Sequence, residues 1–161
     1  MDFVEFASAR TPQLFRAACL LTGDWHLAED LVQETLGKLY LSWRRIGRME
    51  SPGAYANTVL VHTYLSHRRL RRASERPSDR LPETAGSAQD PALRLALLDG
   101  LALLSPKDRA VLVLRYWEDC SVAETADVLD LSVGAVRTQA HRALQRLRDL
   151  LGGQISDLAG Y

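Results

Sequence analysis

Hydrophobic positions along the chain recur at helical spacing, and they do so in two blocks. Ala28, Leu31, Val32, Thr35, Leu36, Leu39, Tyr40 and Trp43 follow the i, i+3, i+4 rule over four turns. Asp30, Gln33, Glu34 and Lys38 fall on the opposite face. Gly23-Asp24 in front of this stripe supplies a break and an N-cap. An earlier helix is expected from about Phe3 to Leu21, carrying Phe6, Leu14, Phe15 and Leu21, with Pro12 marking a bend or restart. Ser51-Pro52 opens a further helix that runs through Tyr55, Val59 and Leu65 into an arginine cluster.

The second block begins with an apolar face of Leu93, Leu97, Leu98, Leu101 and Leu104. Ser105-Pro106-Lys107-Asp108 is a start signal for a helix that carries Val111, Leu112, Leu114 and Tyr116 and ends near Trp117. The β-branched pair around Leu112 lies inside that helical pattern, and no strand pair is expected. Ser121-Val122-Ala123-Glu124 has the form of a capping box, followed by a short helix to Leu129. Asp130-Leu131 makes a tight turn, with Asp130 suited to a left-handed backbone. Ser132 then caps a last helix that ends before Gly152-Gly153. Between the blocks, residues 73–91 hold three prolines, a glycine, three serines and one large apolar residue, Leu81, the composition of a linker. The expected architecture is all-α: two small helical domains, 1–72 and 92–151, joined by the flexible linker 73–91, with a short tail at 152–161.

Residues 121–148 thus read as cap, short helix, tight turn, cap, longer helix, which is the helix-turn-helix pattern. Val133, Val136, Ala140, Leu144, Leu147 and Leu151 form an apolar stripe on the last helix. Its other face carries Arg137, Thr138, Gln139, His141 and Arg142, with the donors and acceptors needed for phosphates and base edges. The first turns of such a helix are the part that enters a major groove.

Composition changes this picture only when it is resolved by segment. The 161 residues carry 20 Lys+Arg and 20 Asp+Glu, a formal net charge of zero. Yet residues 51–72 hold no acid and four arginines, Arg68, Arg69, Arg71 and Arg72, and residues 132–148 hold no acid and four arginines, Arg137, Arg142, Arg146 and Arg148. Acidic residues elsewhere, including a net −2 on the linker, cancel them. The neutral total therefore hides two basic segments far apart in sequence. No apolar run reaches the roughly 18–20 residues of a membrane span, and the N-terminus has no basic, then apolar, leader pattern. Cys19 and Cys120 have no partner cysteines or ligand neighbours in sequence, so both are expected as small packed side chains of a protein in the reducing cytoplasm. The first basic segment mixes rings, hydrogen-bonding groups and cations, His62, Tyr64, Ser66, His67, Arg68 and Arg69, a combination suited to unpaired bases and their phosphates.

The stretch Leu21-Thr-Gly-Asp-Trp-His-Leu-Ala-Glu-Asp-Leu-Val-Gln-Glu-Thr-Leu36, with Trp43, resembles region 2.1–2.2 of bacterial sigma-70 family RNA polymerase sigma factors of the extracytoplasmic-function (ECF) type. The resemblance extends from about Phe3 to Leu151. It implies that Asp30, Gln33, Glu34 and Lys38 face the clamp helices of the largest subunit of core RNA polymerase. Pro52 to Arg72 resembles regions 2.3–2.4, which implies a −10 element surface of Tyr55, His62, Tyr64, Ser66, His67, Arg68 and Arg69. His62 stands where the family usually has Asn, Ser66 where it often has Asp, and Tyr55 at the usual Trp position. Ser105 to Leu151 resembles region 4, which implies that Arg137, Thr138, Gln139, His141 and Arg142 meet the −35 element and that this domain also meets the polymerase flap region. Family resemblance further implies an anti-sigma factor as a partner. A 19-residue linker spans at most about 60 Å. With the widths of both domains added, one chain reaches two elements two DNA turns apart, roughly 70 Å.

These readings converge on a subunit that binds core polymerase, recruits it to promoter DNA at two elements and captures the melted strand. No cofactor, metal or membrane insertion is expected. Residues 121–148 alone also fit a regulator that binds duplex DNA without polymerase. An enzyme is disfavoured: the sequence has no phosphate-binding glycine loop, metal-ligand spacing or nucleophile motif, and His26, His62, His67 and His141 are scattered.

Overall fold

The computed structural model describes residues 1–71 and 91–152, and for residues 68–71 and 93 the backbone only. The linker from residue 72 to residue 90 and the tail from residue 153 lie outside the described residues. The chain divides into two units, Met1–Arg80 and Leu81–Tyr161. Among the described residues both are built from helices, with no strand.

The first unit contains α1 (Phe3–Thr22), α2 (Trp25–Leu41), the single turn α3 (Trp43–Ile46) and α4 (Pro52–Arg71). Asp2 and Glu5 form a capping box at the start of α1. Gly23 closes the helix at φ 66°, donating its N–H to the Cys19 carbonyl at 2.8 Å. That left-handed residue is where glycine is needed. Asp24, buried at the junction, then caps α2 by accepting the Leu27 N–H at 3.0 Å. The restart expected at Pro12 does not occur: α1 is continuous through it. Pro12 and Ser8 both lie on the exposed face, so the carbonyl that loses its helical partner faces solvent.

Trp43 does not continue α2 as its spacing suggested. Ser42 leaves helical geometry at φ −117°, ψ 19°, and Trp43 starts α3 instead. Its ring packs on Phe6 and Phe3 of α1, at centroid distances of 4.8 and 5.6 Å. The core of this unit is Phe6, Leu14, Leu21, Leu31, Leu39, Ile46, Leu60 and Val61. On α4 the buried face is Ala56, Asn57, Leu60, Val61, Thr63 and Tyr64, while Tyr55, Val59 and Leu65 are half-buried.

The second unit contains α5 (Pro91–Ala102), α6 (Pro106–Leu112), a π-helical segment over Val113–Trp117, α7 (Val122–Leu129) and α8 (Val133–Leu151). Ser105 caps α6 with Pro106 in its first turn. The sequence pattern anticipates one helix to Trp117. The structure widens its last turn, with the Glu118 N–H donating to the Val113 carbonyl at 2.9 Å. Val111, Leu112, Val113 and Leu114 are buried in succession and form the centre of the core with Leu101, Leu104 and Leu147. Gly100 brings α5 against α8: a Cβ there would lie 2.9 Å from Leu147 Cδ1.

Ser121 and Glu124 form the expected capping box on α7, and the Ser121 N–H and hydroxyl hold the Glu124 carboxyl below the usual carboxylate range. Asp130 ends α7 at φ 54°, ψ 49°, and Ser132 caps α8 by accepting the Ala135 N–H at 3.1 Å. The buried stripe of α8 is Val136, Ala140, Ala143, Leu147 and Leu151. Val133, expected in the stripe, is exposed and Leu144 is only half-buried, while Ala143 joins it.

Candidate nucleic-acid and polymerase interfaces

Two surfaces collect the chemistry-bearing side chains, one on each unit. On α2, Asp30 and Gln33 are exposed on the face away from the core, as their spacing requires. Glu34 and Lys38 sit one step round the helix and reach α4. The Lys38 ammonium donates to Thr63 Oγ1 at 3.0 Å and lies 3.7 Å from Glu34. The other Glu34 oxygen is 2.5 Å from His67 Nε2. Residues read from sequence as a polymerase face and a DNA face are therefore in direct contact.

Along α4, His62 and Ser66 are exposed and His67 is half-exposed. Tyr55, at the first turn, accepts a hydrogen bond from Arg45 Nη2 at 3.3 Å, and the same guanidinium lies 5.5 Å from the centre of its ring. Arg45 was not among the residues singled out in the sequence, because nothing links positions ten apart in different helices. Arg68 and Arg69 belong to α4, but their side chains lie outside the described residues, as does Arg72 entirely.

Tyr64 is a correction. Its ring is 4 % exposed, on the inner face of α4 with Leu60 and Val61, and cannot stack on a base. The residue type suited nucleic acid, but its position in the helical period puts it inward.

In the second unit, Arg137, Thr138, His141 and Arg142 are exposed along α8, and Gln139 is half-buried. Gln139 Nε2 donates to Asp108 Oδ1 of α6 at 3.0 Å. Asp108, Gly134, Ala135, Thr138, Gln139 and Arg142 line one open recess between the two helices. Asp108 lies 31 residues away in sequence, and only the tertiary fold reveals it.

Cys19 is buried and Cys120 half-buried. Burial, and then the carboxylates of Glu124, Glu118 and Asp119, push the Cys120 thiol up to about 11. Among the described residues no cluster of three His, Cys, Asp or Glu could hold a metal, and no helix is long and apolar enough to cross a membrane.

Comparison with known proteins matches residues 6–74 to Sigma-70 region 2 and residues 94–147 to Sigma-70, region 4. The RNA polymerase sigma-E factor of Streptomyces coelicolor is 38% identical over 153 residues, covering 94% of this chain and 86% of that one. The chain belongs to the sigma-70 family of RNA polymerase sigma factors. It is of the ECF type: the ECF RNA polymerase sigma factor SigL of Mycobacterium tuberculosis is 34% identical over 145 residues, covering 84% of this chain and 80% of its own length. Among solved structures, the sigma factor RpoE of Bartonella quintana, in a co-crystal with the anti-sigma factor NepR, shares the fold with a TM-score of 0.77 at 24% identity, covering 94% of this chain and 98% of that one. CnrH, in complex with the cytosolic domain of CnrY, matches with a TM-score of 0.63 at 25% identity, covering 92% of this chain and 86% of that one. As a sigma factor the protein binds core RNA polymerase and directs it to promoter DNA, and the sigma-70 regions coincide with the two helical units. The alternative of a regulator acting without polymerase is not favoured.

Proposed function

We propose that the first unit docks on core polymerase through Asp30, Gln33, Glu34 and Lys38 and meets the −10 element through Tyr55, His62, Ser66, His67, Arg68 and Arg69. The second unit reads the −35 element through Arg137, Thr138, Gln139, His141 and Arg142, and contacts the flap region of the enzyme. Residues 1–72 and 92–151 act as the two functional domains, with 73–91 linking them. Tyr64 is assigned to the core that holds α4 in place.

The observation that carries this reading is α8 itself. A capped tight turn presents its first turns, and its exposed face holds arginines, a histidine and amide and hydroxyl groups with no acid between residues 132 and 148. Arginines there secure phosphates, while Gln139 and Thr138 reach base edges. At the −10 element, holding an unpaired base offsets the few kcal/mol needed to unstack it. The chain contributes binding free energy and no bond-making step: nucleotide addition belongs to the polymerase. The protein works in the cytoplasm, where the polymerase is. An anti-sigma factor is a further partner, in keeping with the complex of the structurally similar RpoE with NepR.

Run-off transcription with purified core polymerase, the full chain and a promoter library tests the assignment. Stimulation at promoters bearing two elements about two turns apart is expected. Transcription no greater than with core enzyme alone, across the library, overturns it.

A further inference from the structure

The Gln139 amide is anchored before any DNA arrives. Glutamine has a long side chain whose rotamers are costly to fix, and an unanchored one presents either its oxygen or its nitrogen to a base. Here one amide N–H is committed to Asp108 Oδ1 at 3.0 Å. This fixes which end of the amide points inward and leaves Oε1 with the second N–H as the free edge. An acceptor beside a donor is the complement of adenine N6 and N7 in the major groove, whereas guanine offers two acceptors, N7 and O6. Were the amide free to turn, this distinction would weaken.

Approach to the amide is open. Gly134 has no atom within 4 Å of where a Cβ would stand, and Ala135 adds only a methyl to the recess lining. Asp108 is also an acid at the edge of an acid-free surface, where a carboxylate repels phosphate. The hydroxyl of Ser105 caps α6, so capping does not require the Asp108 carboxylate.

We propose that Asp108 is a positioning residue for promoter specificity, which holds Gln139 so that its free amide edge selects adenine over guanine at one base pair of the −35 element. This rests on the assignment of α8 to that element. The test uses holoenzyme reconstituted from core polymerase and the full chain, bound to duplex promoters in which each −35 base pair is varied in turn. Gln139→Ala is expected to flatten the adenine preference, about tenfold, at a single pair. Asp108→Ala should flatten the same pair and no other, and the double variant should match Gln139→Ala. Asp108→Asn, which keeps an acceptor oxygen, should restore the preference while tightening binding to all sequences alike, because a negative charge has gone. An Asp108→Ala profile equal to wild type, or altered at a different pair, overturns the proposal while leaving the α8 assignment standing. If Gln139→Ala changes preference nowhere, Gln139 is not a base reader and the proposal falls with it. Loss of binding by Arg137→Ala and Arg142→Ala judges the α8 assignment separately.

Discussion

Glu34 meets His67 in the free protein and, on the proposed assignment, the polymerase clamp in the holoenzyme. Both side chains of this contact are more than a third exposed, so its loss removes at most about 1 kcal/mol of stability. Glu34→Ala should therefore leave the unfolding midpoint almost unchanged while weakening retention by core polymerase several-fold, measured by pull-down or competition with a second sigma factor. Promoter preference of the residual holoenzyme should stay the same. A change in preference would instead show that Glu34 acts on the DNA face, directly or by releasing His67. Cys120 gives a second residue-scale expectation. With its folded-state pKa near 11 against 9.0 for a free thiol, less thiolate is present at pH 8. Alkylation of the folded protein should be slower than that of the denatured protein, and quantifying modified peptide by mass spectrometry checks it. The folded state holds this proton more tightly, so its contribution to stability is full below pH 9 and is lost as pH rises towards 11.

At the scale of elements, most helix starts and stops were legible because they are local chemistry. Ser105, Ser121 and Ser132 each cap the helix that follows, and Asp24 does so at a chain reversal prepared by Gly23. Each cap needs a side chain that reaches a backbone N–H a few residues on, which sequence displays directly. Faces were less legible. The inner side of α4 is set by what α1 and α2 present to it, so Tyr64 turned inward although its ring suggested DNA. The break at Ser42 was missed because residues on both sides continue one hydrophobic spacing. Two substitutions test the element-scale account. Ser132→Ala should destabilise the second unit by about 1 kcal/mol, seen in chemical denaturation, and weaken binding of −35 DNA through fraying of the first turn of α8. Gly100→Ala should also destabilise, by about 1–3 kcal/mol, despite better helix propensity, because the buried Leu147 has little room to yield.

For the whole molecule, charge is the property that summation conceals. On the proposed assignment two acid-free segments serve DNA while acidic residues lie elsewhere, so a neutral total is compatible with a nucleic-acid partner. Free chain should bind duplex promoter weakly, and holoenzyme tightly, with affinity falling steeply as salt is raised. Replacing Arg142 by alanine should lower the slope of log affinity against log salt by about one if it holds a phosphate, measured by fluorescence anisotropy over a salt series. The pairings Asp108–Gln139, Arg45–Tyr55 and Glu34–His67 were invisible in the sequence for a shared reason. Each joins side chains from different helices, and neither partner alone carries a signature.

The wide turn at Val113–Trp117 bears on how this chain tolerates a change in length. An i to i+5 ring holds one residue more than the α-helical ring it replaces. The surplus sits where the helix leaves the core, next to the exposed Tyr116 and Trp117 and ahead of Asp119, whose φ of 54° already redirects the chain. Removing one residue between 115 and 117 would let the turn close as ordinary α-helix, with Val111 to Leu114 in place and the capping box at Ser121 still available. This junction is thus a natural point for gain or loss of a single codon, and sigma factors of otherwise similar sequence should differ in length here more readily than within α6 or α8.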